Sequence, residues 1–477
     1  MSVNIPFCGP SYQARSMNAD AQQTLNCYVE MDSASPRAPL ALYGTPGLNL
    51  EATLPQSPVR GVVAEGGLTW WIAYDSVYRV DGGANITLLG KISSRYGEVG
   101  MVSNGTQILI VDGVGGYLIN VPAATLTKID DVDFPNGVRR CTFQDGYFIV
   151  TGLPGSQSFY INSAPFDGGN WDALDFASAE GATDNTVGII SDHRELWLFG
   201  PLSAEVWVNT GSTDFPFQRS GNTFIEHGCV AAGTIAKADN AVFWLGSDER
   251  GSGIVWRANG YTPQRISTHA TEAAFAKYTL TDAFAFAYEQ EGHAFYVLTF
   301  PTSNKTWVYD AATQLWHERA WREPLTGVLH RWRPSCYVFA YGALLVGDYE
   351  SGKIYSLKLD VYLDNGVPIL RRRRAMTTAI LQNRVFYSSL QVDMETGVGT
   401  ATGQGADPQL MLRFSNDGGH TWSNEKLATV GKVGQYGARA KYNRLGAGRN
   451  RVWEISMTDP VKFAVIGAVV DAEPGTS

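Results

Sequence analysis

The sequence predicts an all-β protein: a β-propeller of six or seven blades followed by a β-sandwich-like domain. Three observations predict it. The stretch at 242–267, VFWLGSDERGSGIVWRANGYTPQRIS, runs apolar strand, Gly turn, aromatic strand, second turn, closing strand, which is an antiparallel meander of hairpins. Looser copies are anchored on Tyr78, Tyr117, Tyr160, Trp207, Trp256, Trp307 and Tyr355, at gaps of 39, 43, 47, 49, 51 and 48 residues. A strand-built period in that range marks propeller blades, whose sheets pack face to face around a ring; the alternative is a long β-sandwich whose strands share the spacing. After residue 370 the texture changes, and VFYSSLQVD, QLMLRFS, NRVWEISMT and VKFAVIGAVVD stand farther apart, as in a small sandwich.

The 477 residues exceed what one core supports, so more than one domain is expected. The 51 glycines and 12% aromatic content suit tight turns and pleated faces. A charged fraction of 17% argues against disorder and leaves surface that another subunit can cover. The five cysteines, Cys8, Cys27, Cys141, Cys229 and Cys336, form no CxxC; they read as buried free thiols, without a disulfide framework or zinc site. The opening MSVNIPFCGP has no signal-peptide pattern and no run of about 18 apolar residues occurs, so assembly in the cytoplasm, with no membrane-spanning segment, is expected. Net charge is -9, yet residues 371–477 hold 14 Lys and Arg against 9 Asp and Glu. That asymmetry fits distinct partners for the two parts, or equally ordinary variation in surface charge.

Residues 1–58 read as an extended N-terminal arm with short strands, since Pro and Gly interrupt any helical period, and the arm is expected to dock on the platform formed by the late β domain. Blades fill 59–370. THATEAAFAKY interrupts them as a helix, with Thr268 as cap. Residues 371–477 form the second β domain, where GVGTATGQGADP at 397–408 is a Gly-rich excursion.

SNDGGHTW at 415–422 matches the S-x-D-x-G-x-T-W "Asp box" through Ser415, Asp417, Gly419, Thr421 and Trp422. It is a turn device: Ser415 and Asp417 bond loop amides, Gly419 takes a left-handed conformation and Trp422 packs beneath. Sialidases carry several such boxes, also structurally, so a carbohydrate-active propeller is an alternative; one copy outside the blades speaks against it. GDYESGKI at 347–354 resembles a phosphate-binding loop but ends in Ile354 where Ser or Thr should hold magnesium, and it reads as a blade hairpin. The seven histidines show no metal-ligand spacing and no GxSxG elbow exists, which removes the usual supports for catalysis. Arg371, Arg372, Arg373 and Arg374 can face nucleic acid. In an extended segment only two share a face, and pairing with carboxylates across a domain or subunit joint is the favoured reading.

Several long segments together resemble a known family. GPSYQARSMNADAQQTLNCYVE, ELWLFGPLSAEVWVNTG, FQRSGNTFIEHGC, FWLGSDERGSGIVWRANGY, QVDMETGVG, LRFSNDGGHTWS and RNRVWEISMTDPVKFAVIGA are similar to the packaged-DNA stabilisation proteins of short-tailed bacteriophages. Gly9, Pro10, Tyr12, Arg15, Asn18 and Asp20 match that family's opening motif. The resemblance implies a virion protein of the tail, made in the host bacterial cytoplasm, with no cofactor and no enzymatic activity. It implies a homo-hexameric hub or nozzle ring that carries a propeller and a platform domain. Its implied neighbours are an adaptor ring above, a needle or plug beneath, and tail fibres or tailspikes. Double-stranded DNA passes through without sequence recognition, which suits an acidic conduit, since lumen carboxylates repel phosphates. A receptor-binding tail protein is a further alternative.

Overall fold

The second strand of each repeat is apolar on both faces, and that sets the architecture. In Leu68–Ala73, Trp70 and Ile72 pack against Ile108 and Ile110 of the next repeat. Trp71 and Ala73 point the other way, against Leu345 and Ile354 of the last. Successive strand residues face opposite sides, so a strand buried twice needs a continuous apolar run, and the run bonds two neighbouring sheets. The same alternation links repeats two to three, three to four, four to five, five to six and six to seven through separate cores. The ring therefore closes with seven blades, at 59–91, 100–128, 140–178, 188–219, 228–265, 284–322 and 334–358.

This computed structural model describes residues 2–475 apart from 33, 36–38, 180, 182–183, 222, 249–250 and 377–382. All seven aromatic anchors lie on the third strand of their blade: Ser76–Val80, Gly116–Asn120, Ser158–Ala164, Ala204–Asn209, Gly251–Asn259, Lys305–Asp310 and Lys353–Lys358. The helix His269–Phe275 stands between blades five and six, with Thr268 and Thr271 forming a reciprocal cap.

The second domain is two facing sheets. One runs Cys27–Met31, Leu40–Gly44, Ala464–Pro474, Val385–Met394, Ala440–Asn443, with Ser2–Ile5 also on Ala464–Pro474. The other runs Ala21–Leu25, Arg371–Met376, Val452–Met457, Gln409–Ser415, Lys426–Thr429. Between them lies one core, in which Ile5, Phe7, Cys27 and Leu42 meet Leu390, Trp453, Ile455, Phe463 and Val470.

The expected division at residue 58 does not follow these sheets. Residues 2–44 are woven into both sheets of the sandwich, and Gly47–Thr53 pairs with Lys353–Lys358 as the outer strand of the seventh blade. The first blade strand thus comes from ahead of residue 59, and the ring is latched by pairing residues some 300 apart. Through Leu25, which pairs with Glu318 on one side and Arg372 on the other, the sixth blade and the sandwich share one continuous eleven-stranded sheet.

Candidate functional site

The strand Arg371–Met376 lies between Ala21–Leu25 and Val452–Met457, so its four arginines project alternately to two faces. Arg371 and Arg373 are fully buried. The Arg373 guanidinium donates to the carbonyls of Phe7 (2.8 Å), Pro10 (2.8 Å) and Pro6 (3.1 Å), to Thr24 Oγ1 (3.0 Å) and to Gln22 Oε1 (2.5 Å). Phe7 and Thr24 are buried, so the Phe7 carbonyl in particular would otherwise lack a donor, which is costly. Burial pushes its pKa down to about 10, partly offset by Cys8 and Asp20. Arg371 donates to Asp459 O at 3.1 Å and lies 5.1 Å from the Tyr362 ring.

On the opposite face Arg372 and Arg374, with Arg413, converge on Glu454. Arg374 Nε donates to its Oε2 at 2.6 Å, Arg413 Nε to its Oε1 at 2.9 Å, and Arg372 Nε lies 3.6 Å away. Glu454 is 1% exposed. Burial raises its pKa, but the charges of Arg372 and Arg374 and the hydrogen bonds from Arg374 and Arg413 hold it below the ordinary value. The Arg run is thereby committed inside the protein, with its two inner guanidinium groups out of reach of DNA.

The Asp box adjoins this cluster. Asp417 accepts from the amides of His420 (3.0 Å) and Thr421 (2.9 Å) and from the hydroxyls of Ser415 and Thr421 (both 2.6 Å). Ser415 Oγ accepts from Gly419 N at 2.8 Å, and Trp422 Nε1 donates to Gly419 O at 3.1 Å. Gly418 and Gly419 sit at φ +73° and +102°, a region side chains resist. Arg374 and Arg413 lie 4.8 and 5.4 Å from the Trp422 ring, so the turn also covers the Arg–Glu454 cluster with an aromatic face.

The opening motif meets the same place. A Cβ on Gly9 would fall 2.7 Å from Arg373 Nη2, and one on Gly418 2.1 Å from Asn18 Oδ1; both glycines allow close approach. Pro10 supplies a carbonyl to Arg373, Tyr12 pairs with Gln22, and Asp20 accepts from the Gln22 amide at 3.0 Å. Arg15 is exposed in the turn between. The structure thus gathers three stretches that the sequence presents separately. Glu454 was missed; its signal is a lone carboxylate inside the apolar run VWEISM. Asn26 was missed too. Its side chain donates to Ala320 O and Leu370 O (both 2.9 Å) and accepts from Ala320 N, tying the sixth blade to the sandwich.

The propeller channel is a cavity of about 670 Å³ lined by inner strands, including Arg60, Glu98, Arg140, Asp282 and Arg331. Arg60 donates to four backbone carbonyls, those of Gly97, Tyr74, Ser94 and Tyr96, and Arg140 pairs with Glu98. Among the described residues no group of three His, Cys, Asp or Glu stands close enough to hold a metal ion, and no helix is long and apolar enough to cross a membrane. The segment 347–354 is a hairpin between Ala343–Asp348 and Lys353–Lys358, with Asp348 held by both Arg333 Nε and Nη2 (2.8 and 2.9 Å).

Two family models match: "Bacteriophage P22 Gp10, beta-propeller" over residues 22–362, and "Bacteriophage P22 Gp10, beta-sandwich" over 373–473. The chain belongs to this Gp10 family. Its role is structural, a hub or nozzle component of a short-tailed phage tail, and it is not an enzyme. No curated protein matches it. Similar solved structures include the computationally designed Ika8 protein (13% identity, TM-score 0.38, 71% of this chain and 100% of that one). They also include the WD40 β-propeller domain of Doa1 (12%, 0.40, 66% and 96%) and a chain of the Mitotic Checkpoint Complex (11%, 0.44, 69% and 95%). None reaches a TM-score of 0.5, so the Gp10 assignment rests on the family models and on the sheets themselves.

Three groups of this Gp10-family fold carry separable pH responses, and His293, raised by its hydrogen bond to Asp310, opposes the first of them as pH falls. Burial drives His317 down to about 3, against the pull of Asp310. A base held below its ordinary value near 6.5 takes its proton first in the unfolded chain, so stability falls as pH drops from about 6.5 toward 3. Asp417, held far below the carboxylate range by Ser415 and Thr421, adds a loss below about 4. Asp364 acts oppositely: burial raises it to about 6 despite Arg319, Arg371 and Arg333, so its protonation relieves a buried charge. The expected result is an unfolding midpoint that declines from pH 7 to 4, flattens in His317→Gln and steepens in Asp364→Asn. Asp417→Ala should lower the midpoint at pH 7 and remove the further loss below pH 4. Thermal denaturation followed by circular dichroism checks this, and a wild-type midpoint constant from pH 7 to 4 would contradict it.

Proposed function

We propose that the chain is one subunit of a closed homo-hexameric ring on the tail axis, below the portal and adaptor. The ring narrows the DNA channel after packaging, retains the genome, seats a needle or plug beneath, carries tail fibres or tailspikes, and passes DNA at ejection. Family membership already implies assembly with connector and tail components and passage of DNA. One observation carries the reading: the sixth blade and the sandwich share a continuous eleven-stranded sheet, and both chain ends, Ser2–Ile5 and Ala464–Pro474, are paired in the sheet that faces it across the sandwich core. Loosely linked domains hinge by default. A shared hydrogen-bonded sheet does not, and a channel closure under load from self-repelling DNA needs that stiffness. We further propose that the opening motif, the Arg run and the Asp box together form the joint that fixes the N-terminal segment to the platform.

Microscopy of isolated tails, averaged without imposed symmetry, tests the ring. A closed six-fold density of this chain on the axis is expected. Single copies arrayed off the axis would instead support the receptor-binding alternative.

A further inference from the structure

Two exposed patches on this chain, one basic and one acidic, complement each other. From Lys426 to Trp453 there are seven Lys and Arg and no Asp or Glu. Of these, Lys432, Arg439, Lys441, Arg444 and Arg449 are exposed. The ion pairs of this domain among the described residues engage other cations, namely Arg372, Arg374 and Arg413 with Glu454 and Lys462 with Glu395. Arg439 and Lys441 project to the same side as Asn443 along Ala440–Asn443, the edge strand of its sheet. Arg444 follows at the bend where the chain re-pairs with Val385–Met394. Beside them stand Val433 and Tyr436, 63% and 78% exposed, on a loop held to Thr396 and Gly397.

The opposite patch is on the third blade. Residues 130–178 hold seven Asp and Glu against two Lys and Arg. The outer strand Asp167–Ser178 bulges between Trp171 and Phe176, and Trp171 N donates to Asp131 Oδ2 at 3.0 Å. That bond brings the 130–133 loop alongside the bulge. The result is a rim with Asp130, Asp133 and Asp175 around Val132 and Leu174, which are 92% and 80% exposed. Each patch thus pairs like charges with bare apolar side chains. Phosphate backbones would use the basic edge but have no use for Val433 and Tyr436, whereas an acidic, apolar protein face uses both.

We propose that the basic edge of one copy docks on the acidic third-blade rim of a second copy. The two patches are different surfaces of one chain, so the contact is heterologous, and repetition of it builds either a ring or a filament. The proposal rests on the ring reading above and names the surface that would generate it. Opposed charges also set register and speed encounter, more than they add affinity.

The test is charge exchange in phage whose own copy of this protein is deleted and replaced from a plasmid. Arg439→Glu, Lys441→Glu and Arg444→Glu together should lower the yield of tailed, infectious particles by roughly tenfold or more, because like charges then face each other. Asp130→Lys, Asp133→Lys and Asp175→Lys should do the same, and a chain carrying both sets should recover. Carbodiimide coupling of wild-type tails, read by mass spectrometry, should join Lys432 or Lys441 of one copy to Asp130, Asp133 or Asp175 of another. Two losses without recovery in the combined chain, yields unchanged by either set, or couplings only between other faces would each overturn the proposal. So would a loss confined to the basic-edge variants with DNA bound salt-sensitively by the wild type. Tails that contain no ring at all would instead overturn the reading on which it rests.

Discussion

Replacing Arg373 with Met is expected to remove about 3–5 kcal/mol of stability, the range for losing one partner of a buried charged network. Met keeps much of the volume and apolar contact, so the loss isolates the hydrogen bonds. The carbonyls of Phe7, Pro10 and Pro6 lose their donor together, and Phe7 is fully buried. Those residues belong to the segment whose strands Ser2–Ile5 and Ala21–Leu25 lie in the two different sheets of the platform. The damage should therefore spread: hydrogen exchange should accelerate first across residues 2–25 and the paired strands Arg371–Met376 and Ala464–Pro474, while the blades exchange as before. Arg373→Lys should recover little, because one ammonium cannot span five acceptors. Urea denaturation checks the magnitude; a loss under about 1 kcal/mol would mean that the arginine is not what secures the segment.

What the sequence made legible follows the range of the interactions. A blade is a local meander whose strand partners are neighbours in sequence, so its period survives in the chain, and all seven aromatic anchors fall on the equivalent strand. The turn of the Asp box is equally local, with every side-chain hydrogen bond of Ser415 and Asp417 within four residues. The N-terminal segment reads as an arm because its strands are short and broken by Pro and Gly, and because Ser2–Ile5, Ala21–Leu25 and Gly47–Thr53 pair with strands about 300 or more positions away. No period records such pairings. The Arg run shows the boundary between the two cases: alternation of its faces follows from extended backbone, while Glu454 and the carbonyl cage around Arg373 depend on strands brought in from elsewhere. The charge asymmetry between the halves is visible as a count, but only the fold shows which charges stand together: Asp130, Asp133 and Asp175 on the third-blade rim, and Arg439, Lys441 and Arg444 along one sheet edge.

The central claim is that this protein holds the packaged genome in place, and the most direct measurement is DNA retention in particles that lack it. Packaged duplex repels itself strongly, so once the packaging motor leaves, an open channel empties. Particles from a null mutant, purified after motor release and treated with nuclease, should hold only a small fraction of the protected DNA found in wild-type virions. In the microscope they should appear as emptied heads that end at the adaptor. Null particles that stay filled and nuclease-resistant, yet fail to adsorb to cells, would contradict the account and assign the protein to host recognition instead.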